Sequence, residues 1–64
     1  MSRYTRKISK EDYDRCVEEG HVPNDIEEKY IETYFYISYG VYKTGFYEKD
    51  NEYYMWFDAG DSCD

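Results

Sequence analysis

The sequence predicts an α+β fold: an N-terminal helix and a short second helical turn packed on a three-stranded antiparallel β-meander. Three observations in the 64-residue chain carry this prediction. Residues 9–20 hold both a start and a stop signal for one helix. Residues 31–59 are dominated by β-branched and aromatic side chains, punctuated at Gly40 and at Asp50-Asn51. The aromatic fraction is 22%, ten of the rings being tyrosines, whereas disordered chains are poor in such residues. A chain this short supports one domain with a thin core, one helical layer against one sheet.

Taken in order, residues 1–7 read as an extended basic arm, free to fray. Ser9 is a natural N-cap whose hydroxyl can accept from the backbone N–H of Asp12, and a carboxylate at Asp12 suits the positive end of the helix. Ile8 before the cap and Tyr13 at the fourth helical position form a hydrophobic staple. Tyr13, Cys16 and Val17 make one apolar stripe, and Gly20 supplies the left-handed residue that ends the helix. The helix therefore spans about 10–19, with Glu11, Asp14, Glu18 and Glu19 on its other face. Pro23 keeps Val22 out of helical geometry. Asn24 can cap a second turn, with Asp25, Glu27 and Glu28 in its first residues, ending near Tyr30.

From there the composition is β-like. Residues 31–39 read as a first strand, with Ile31, Thr33, Phe35, Ile37 and Tyr39 on one face and Glu32, Tyr34, Tyr36 and Ser38 on the other. Residues 41–49 and 52–59 form a hairpin around Asp50-Asn51, two residues that tolerate the positive φ of a tight turn. A two-residue loop sets Lys49 opposite Glu52, Glu48 opposite Tyr53, Tyr47 opposite Tyr54 and Phe46 opposite Met55. Thr44, Phe46, Met55 and Phe57 then share one face, and Tyr47, Tyr54, Trp56 and Asp58 the other. Gly45 across from Trp56 leaves room for the indole. One helix covers one side of such a sheet, which leaves a tyrosine-rich surface edged with acid.

Signals for chemistry are sparse. His21 follows a helix-ending glycine and reads as a loop or C-cap residue. Cys16 reads as a small buried apolar residue and Cys63 as an exposed one near the chain end. With one histidine and no close cysteine pair a zinc site is not supported, and in the absence of an export signal the reduced state is the default. Ser62 and Cys63 lack a held base and an orienting shell, and nearby carboxylates raise a thiol pKa. Asp50-Asn51-Glu52 does not continue into a calcium loop, and a hairpin turn explains it. No catalytic, cofactor or metal residue is assigned, and a non-enzymatic role is expected. Nothing resembles a signal peptide or the ~20 apolar residues of a membrane helix, so a cytoplasmic location is expected.

Charge is the strongest functional signal. Eight bases stand against fifteen acids, a net charge of −7. The first ten residues hold four bases and no acid, so positions 11–64 carry −11. Such a density repels phosphate backbones and anionic lipids and attracts basic proteins. Tyrosines on a sheet resemble single-strand stacking platforms in kind, but segment 31–64 has two lysines against seven acids, which argues against direct nucleic-acid binding. Tyrosine is also an interface residue, with a large rigid area and a polar tip. In size and composition the chain is similar to small phage-encoded inhibitors, the anti-CRISPR and anti-restriction proteins, several of which imitate nucleic acid. That resemblance implies a partner that is a nuclease or another nucleic-acid-binding protein.

The expected partner-binding residues are the helical acids Glu11, Asp14, Glu18, Glu19, Asp25, Glu27 and Glu28, the hairpin acids Glu48, Asp50 and Glu52, and the aromatic anchors Tyr34, Tyr36, Tyr47, Tyr54 and Trp56. The protein would be a monomer or small homo-oligomer that occupies a basic channel. The alternative is an antitoxin-like or regulatory subunit that binds through the exposed tyrosine-rich sheet face.

Overall fold

The computed structural model describes residues 2–60 and has the α+β arrangement. Strand β1 (Ser2–Ile8) leads into helix α1 (Lys10–Glu19), a short helix α2 (Asn24–Tyr30), a five-residue π-helical turn (Phe35–Tyr39), and the hairpin of β2 (Val41–Lys49) and β3 (Glu52–Ala59). All strand pairs are antiparallel and β3 is central, in the order β1-β3-β2. Cys63 and its neighbours Asp61, Ser62 and Asp64 lie outside the described residues.

The first helix starts and stops where its local signals are. Ser9 is extended and its Oγ accepts from the Asp12 N–H at 3.2 Å, while Gly20 closes the helix at φ 78°. Ile8 and Tyr13 both meet the core, as a staple requires. Val17 does not: it is 54% exposed, because α1 is tangent to the sheet along Tyr13 and Cys16 and one further position falls beyond that line. In α2 the cap residue is Pro23 and Asn24 is already helical, with no side-chain cap. Proline's fixed φ presets the entry, so the asparagine is not needed to hold it.

The hairpin follows its turn chemistry. Asp50 and Asn51 take φ 54° and 64°, and the strand partners are Lys49↔Glu52, Glu48↔Tyr53, Tyr47↔Tyr54 and Phe46↔Met55. Gly45 faces Trp56, and a Cβ at that position would lie 2.5 Å from the indole nitrogen. A bulge at Tyr42 shifts the register near the start of β2.

Two larger expectations, beyond Val17 and Asn24, are overturned. Residues 31–39 are not a strand. Ile31 and Phe35 are buried and Tyr39 is half-buried, while Thr33 is exposed and Ile37 is 79% exposed. Positions 31, 35 and 39 recur every four residues, a spacing that helical turns and alternating strands share; Thr33 and Ile37 separate the two, and they face water. The turn closes by the Gly40 N–H donating to the Phe35 carbonyl at 2.6 Å, an i to i+5 bond. Nor are residues 1–7 an arm: they run from Ser2↔Ala59 to Ile8↔Tyr53 as an edge strand on β3. The sheet is therefore no meander, since its third strand comes from the other end of the chain.

Both helices and the π turn lie on one side of the sheet. Ile8, Cys16, Val22, Ile26, Ile31, Phe35, Met55, Phe57 and Ala59 form one core cluster. Three rings tie β1, the π turn and β3 together: Tyr4 to Phe35 at 4.9 Å, Tyr4 to Phe57 at 5.4 Å and Phe35 to Phe57 at 5.1 Å. Offset or edge-on rings at these distances add about 0.5–1.5 kcal/mol per pair beyond their buried area. Asp12 is buried beside this core and accepts from the Tyr30 hydroxyl at 2.6 Å and from Lys29 Nζ at 2.9 Å. A carboxylate so placed needs those donors to offset its lost hydration.

Candidate functional site

The fold divides the expected site residues between two opposite surfaces. Cross-strand partners share a face, so Arg3, Asp58 and Lys43 point the same way, as do Thr5, Trp56 and Gly45, and Lys7, Tyr54 and Tyr47. Met55 and Phe57, one residue out of phase, are buried under the helices. The outer sheet face thus carries Arg3, Lys7, Lys43 and Lys49 against Glu52 and Asp58, a balance of +2. All other described positions together hold four bases and eleven acids, a balance of −7.

On the acidic side, the chain's own bases take up part of the charge. Asp14 is paired with Lys10 at 3.0 Å, Glu19 with Arg15 at 3.5 Å, and Asp25 also with Arg15. Arg15 holds the Asp25 carboxyl below the usual range. Asp12 is paired with Lys29 at 2.9 Å and Glu32 with Arg6 at 3.1 Å. Six carboxylates form no ion pair among the described residues: Glu11 and Glu18 on α1, Glu27 and Glu28 on α2, Glu48 at the end of β2, and Asp50 in the hairpin turn. Glu11 and Glu18 are seven residues apart, two helical turns, and so lie on one face. All six were among the expected contact residues. Asp14, Glu19, Asp25 and Glu52 were too, but each is already held by a base of this chain.

Beside α2 the π turn borders an open cavity of about 600 Å³ lined by Asn24, Glu27, Glu28, Ile31, Thr33 and Tyr36. The Tyr36 hydroxyl donates to Glu27 Oε1 at 3.2 Å. Its pKa is pushed up to about 12, first by burial and then by the Glu27 and Glu28 carboxylates. Tyr34 stacks on Phe35 at 4.4 Å with half of its surface open to water. Sequence reasoning had no route to this cavity. A strand at 31–39 puts Tyr36 on a sheet face away from α2, and the apolar positions 31, 35 and 39 fit strand and helical turn equally.

The outer face is tyrosine-rich, as expected, but its edge is basic rather than acidic. Tyr47 and Tyr54 stack at 5.2 Å, and the Tyr54 hydroxyl donates to Glu52 at 2.8 Å. Lys7 reaches the same carboxylate at 2.7 Å and keeps it below its usual range. The Arg3 guanidinium lies 4.0 Å over the Trp56 ring while donating to both Asp58 oxygens at 2.7 and 3.1 Å. Both acids of this face are thereby compensated, whereas Lys43 and Lys49 form no ion pair among the described residues. The basic edge exists because β1, not 31–39, is the third strand and brings Arg3 and Lys7. Tyr47, Tyr54 and Trp56 are consequently a sheet's thickness away from the helical acids and cannot anchor the same contact.

His21 is exposed, with Nδ1 3.2 Å from the Val22 carbonyl. Cys16 is a free, fully buried cysteine whose thiol is pushed up mainly by burial. Among the described residues no three His, Cys, Asp or Glu side chains converge to hold a metal ion, and no helix is long and apolar enough to cross a membrane. Comparison with known proteins gives no match to a family model, to a curated protein or to a solved structure.

Proposed function

We propose that this chain is a small acidic, non-enzymatic inhibitor of a basic nucleic-acid-binding protein, its carboxylates taking the place of phosphates in a positively charged channel. One observation carries the reading: every acid without an ion pair among the described residues lies off the outer sheet face, in a region whose balance is −7. Charges already paired within a protein have little left to offer a partner, and those unpaired create the field that steers encounter. The contact therefore narrows to Glu11, Glu18, Glu27, Glu28, Glu48 and Asp50, with Tyr36 beside α2 and the exposed Tyr34 as anchors. Nuclease targets of the kind met by anti-CRISPR and anti-restriction proteins fit this chemistry.

The test is capture of host proteins on the immobilised chain, followed by a competition assay on what is captured. A basic protein should bind at about 0.05 M salt and elute by about 0.5 M, as the screening length falls from more than 10 Å to a few Å. Free chain should displace DNA or RNA from it, and Glu11→Lys with Glu18→Lys should slow association by about tenfold or more. Capture of acidic proteins, or an association rate that ignores both salt and these substitutions, overturns the reading.

A second reading is favoured by the three-ring stripe of Tyr47, Tyr54 and Trp56 with Lys43 and Lys49 beside it: an antitoxin-like or regulatory subunit that binds through its sheet. Substitution of Tyr47 by Ala would weaken that complex, with little dependence on salt, and would leave the acid-driven complex intact.

A further inference from the structure

We infer that the cavity between α2 and the π turn is a receptor for a guanidinium group, an arginine side chain of the partner. The inference rests on the inhibitor reading and gives it a point of insertion.

The cavity has the parts that recognise a planar cation. Ile31 is 2% exposed and supplies an apolar floor, so a guest entering it leaves water. Tyr36, 39% exposed, offers a ring face, and guanidinium stacks on aromatic rings. Glu27 and Glu28 both line the space, and Glu27 Oε1 lies 3.2 Å from the Tyr36 hydroxyl that donates to it. Asn24 and Thr33 add neutral acceptors at the wall.

Cations of this chain do not fill the role. Lys29, adjacent in sequence, is bound to Asp12 at 2.9 Å. Arg15 serves Asp25 and Glu19, and Arg6 serves Glu32. Glu27 has only a phenol as donor, and one hydroxyl leaves most of its acceptor capacity open. A volume of about 600 Å³ lies within the range of small-ligand sites. Arginine suits the site better than lysine: its fork can donate to two carboxylates at once while its plane lies on the ring.

The probe is N-acetyl-arginine amide, titrated into the full chain and followed by amide NMR. N-acetyl-citrulline amide, of the same shape without the charge, is the control. The arginine probe should give saturable shifts confined to residues 24–36 and bind at least about tenfold tighter than citrulline. Glu27→Gln with Glu28→Gln should remove that margin while leaving the remaining amide spectrum unchanged. Tyr36→Leu, which keeps both acids, should weaken the arginine probe severalfold. Shifts that do not saturate, that match those of citrulline, or that spread evenly over all acidic positions overturn the assignment. If that happens while partner capture remains sensitive to salt and to Glu11 and Glu18, the cavity assignment falls alone; if capture fails as well, the inhibitor reading falls with it.

Discussion

Gly45→Ala is the sharpest test of the sheet. The added Cβ would sit 2.5 Å from Trp56 Nε1. Ordinary contact between such atoms begins near ~3.5 Å, so the ring must retreat by about 1 Å. Retreat is obstructed on the other side, where the Arg3 guanidinium covers the indole at 4.0 Å and is itself held by both oxygens of Asp58. Overpacking of this kind costs about 1–3 kcal/mol. Alanine recovers some of that, since glycine in a strand is about 0.5–1 kcal/mol worse than alanine through its larger unfolded-state entropy. The balance is a loss of about 1–2 kcal/mol, or a fall in Tm of roughly 4–16 °C for a domain of this size. Trp56 is the only tryptophan, so its emission reports the ring directly. The variant should melt earlier with altered emission, and Trp56→Val on the same background should restore much of the loss. A Gly45→Ala protein as stable as the parent, with unchanged emission, would refute the register that places these residues face to face.

Three further outcomes follow from named contacts. Asp12→Asn should cost about 1.5–3 kcal/mol in urea denaturation at neutral pH, since a buried charged acceptor for Tyr30 and Lys29 is lost. The Tyr30 hydroxyl first, then Lys29 and Ser9, hold the Asp12 carboxyl below its ordinary value. Its stabilising contribution is therefore complete above the unfolded pKa near ~3.9 and is lost as pH falls through the lower folded value. The gap between parent and variant should shrink under those acid conditions, and a gap independent of pH would be inconsistent with this role. In the π turn, Ile37→Lys should change stability by less than about 0.5 kcal/mol, while Phe35→Ala two residues earlier should cost about 3–5 kcal/mol. Equal sensitivity at both positions would mean that 31–39 alternates as a strand.

The division into two charged faces has a consequence for any partner. A surface of −7 with a patch of +2 behind it forms a dipole as well as a net charge. A basic channel would attract the helical side and repel the sheet side, so approach is oriented before contact. All eight bases are engaged in ion pairs or lie on the outer face, which leaves Glu11, Glu18, Glu27, Glu28, Glu48 and Asp50 uncovered.

Local chemistry was legible without coordinates. Ser9, Asp12 and Gly20 set both ends of α1, because capping depends on atoms within four residues of one another. Asp50 and Asn51 set the turn, and a two-residue turn sets every pair in the hairpin, down to Gly45 under Trp56. The acidic residues with no base of their own were also nominated from sequence, although so were four that Lys7, Lys10 and Arg15 turn out to occupy. Lys10–Asp14 and Arg15–Glu19 are i,i+4 pairs on one helix, but the other acids and bases that meet are 10 to 55 residues apart, and no pattern along the chain encodes those.

Two features were decided only in three dimensions. Residues 31, 35 and 39 satisfy helical and strand periods alike, and the choice fell to the helical turn because β3's free edge is filled from elsewhere. The filler is Ser2–Ile8, a short charged segment whose claim to be a strand rests on partners more than 40 residues away. Identity and spacing of side chains determined the helix, the hairpin and the excess of acid; assembly of the distant ends determined the sheet order, the cavity at Tyr36 and which face is negative, since those depend on contacts that exist only after the chain has closed on itself.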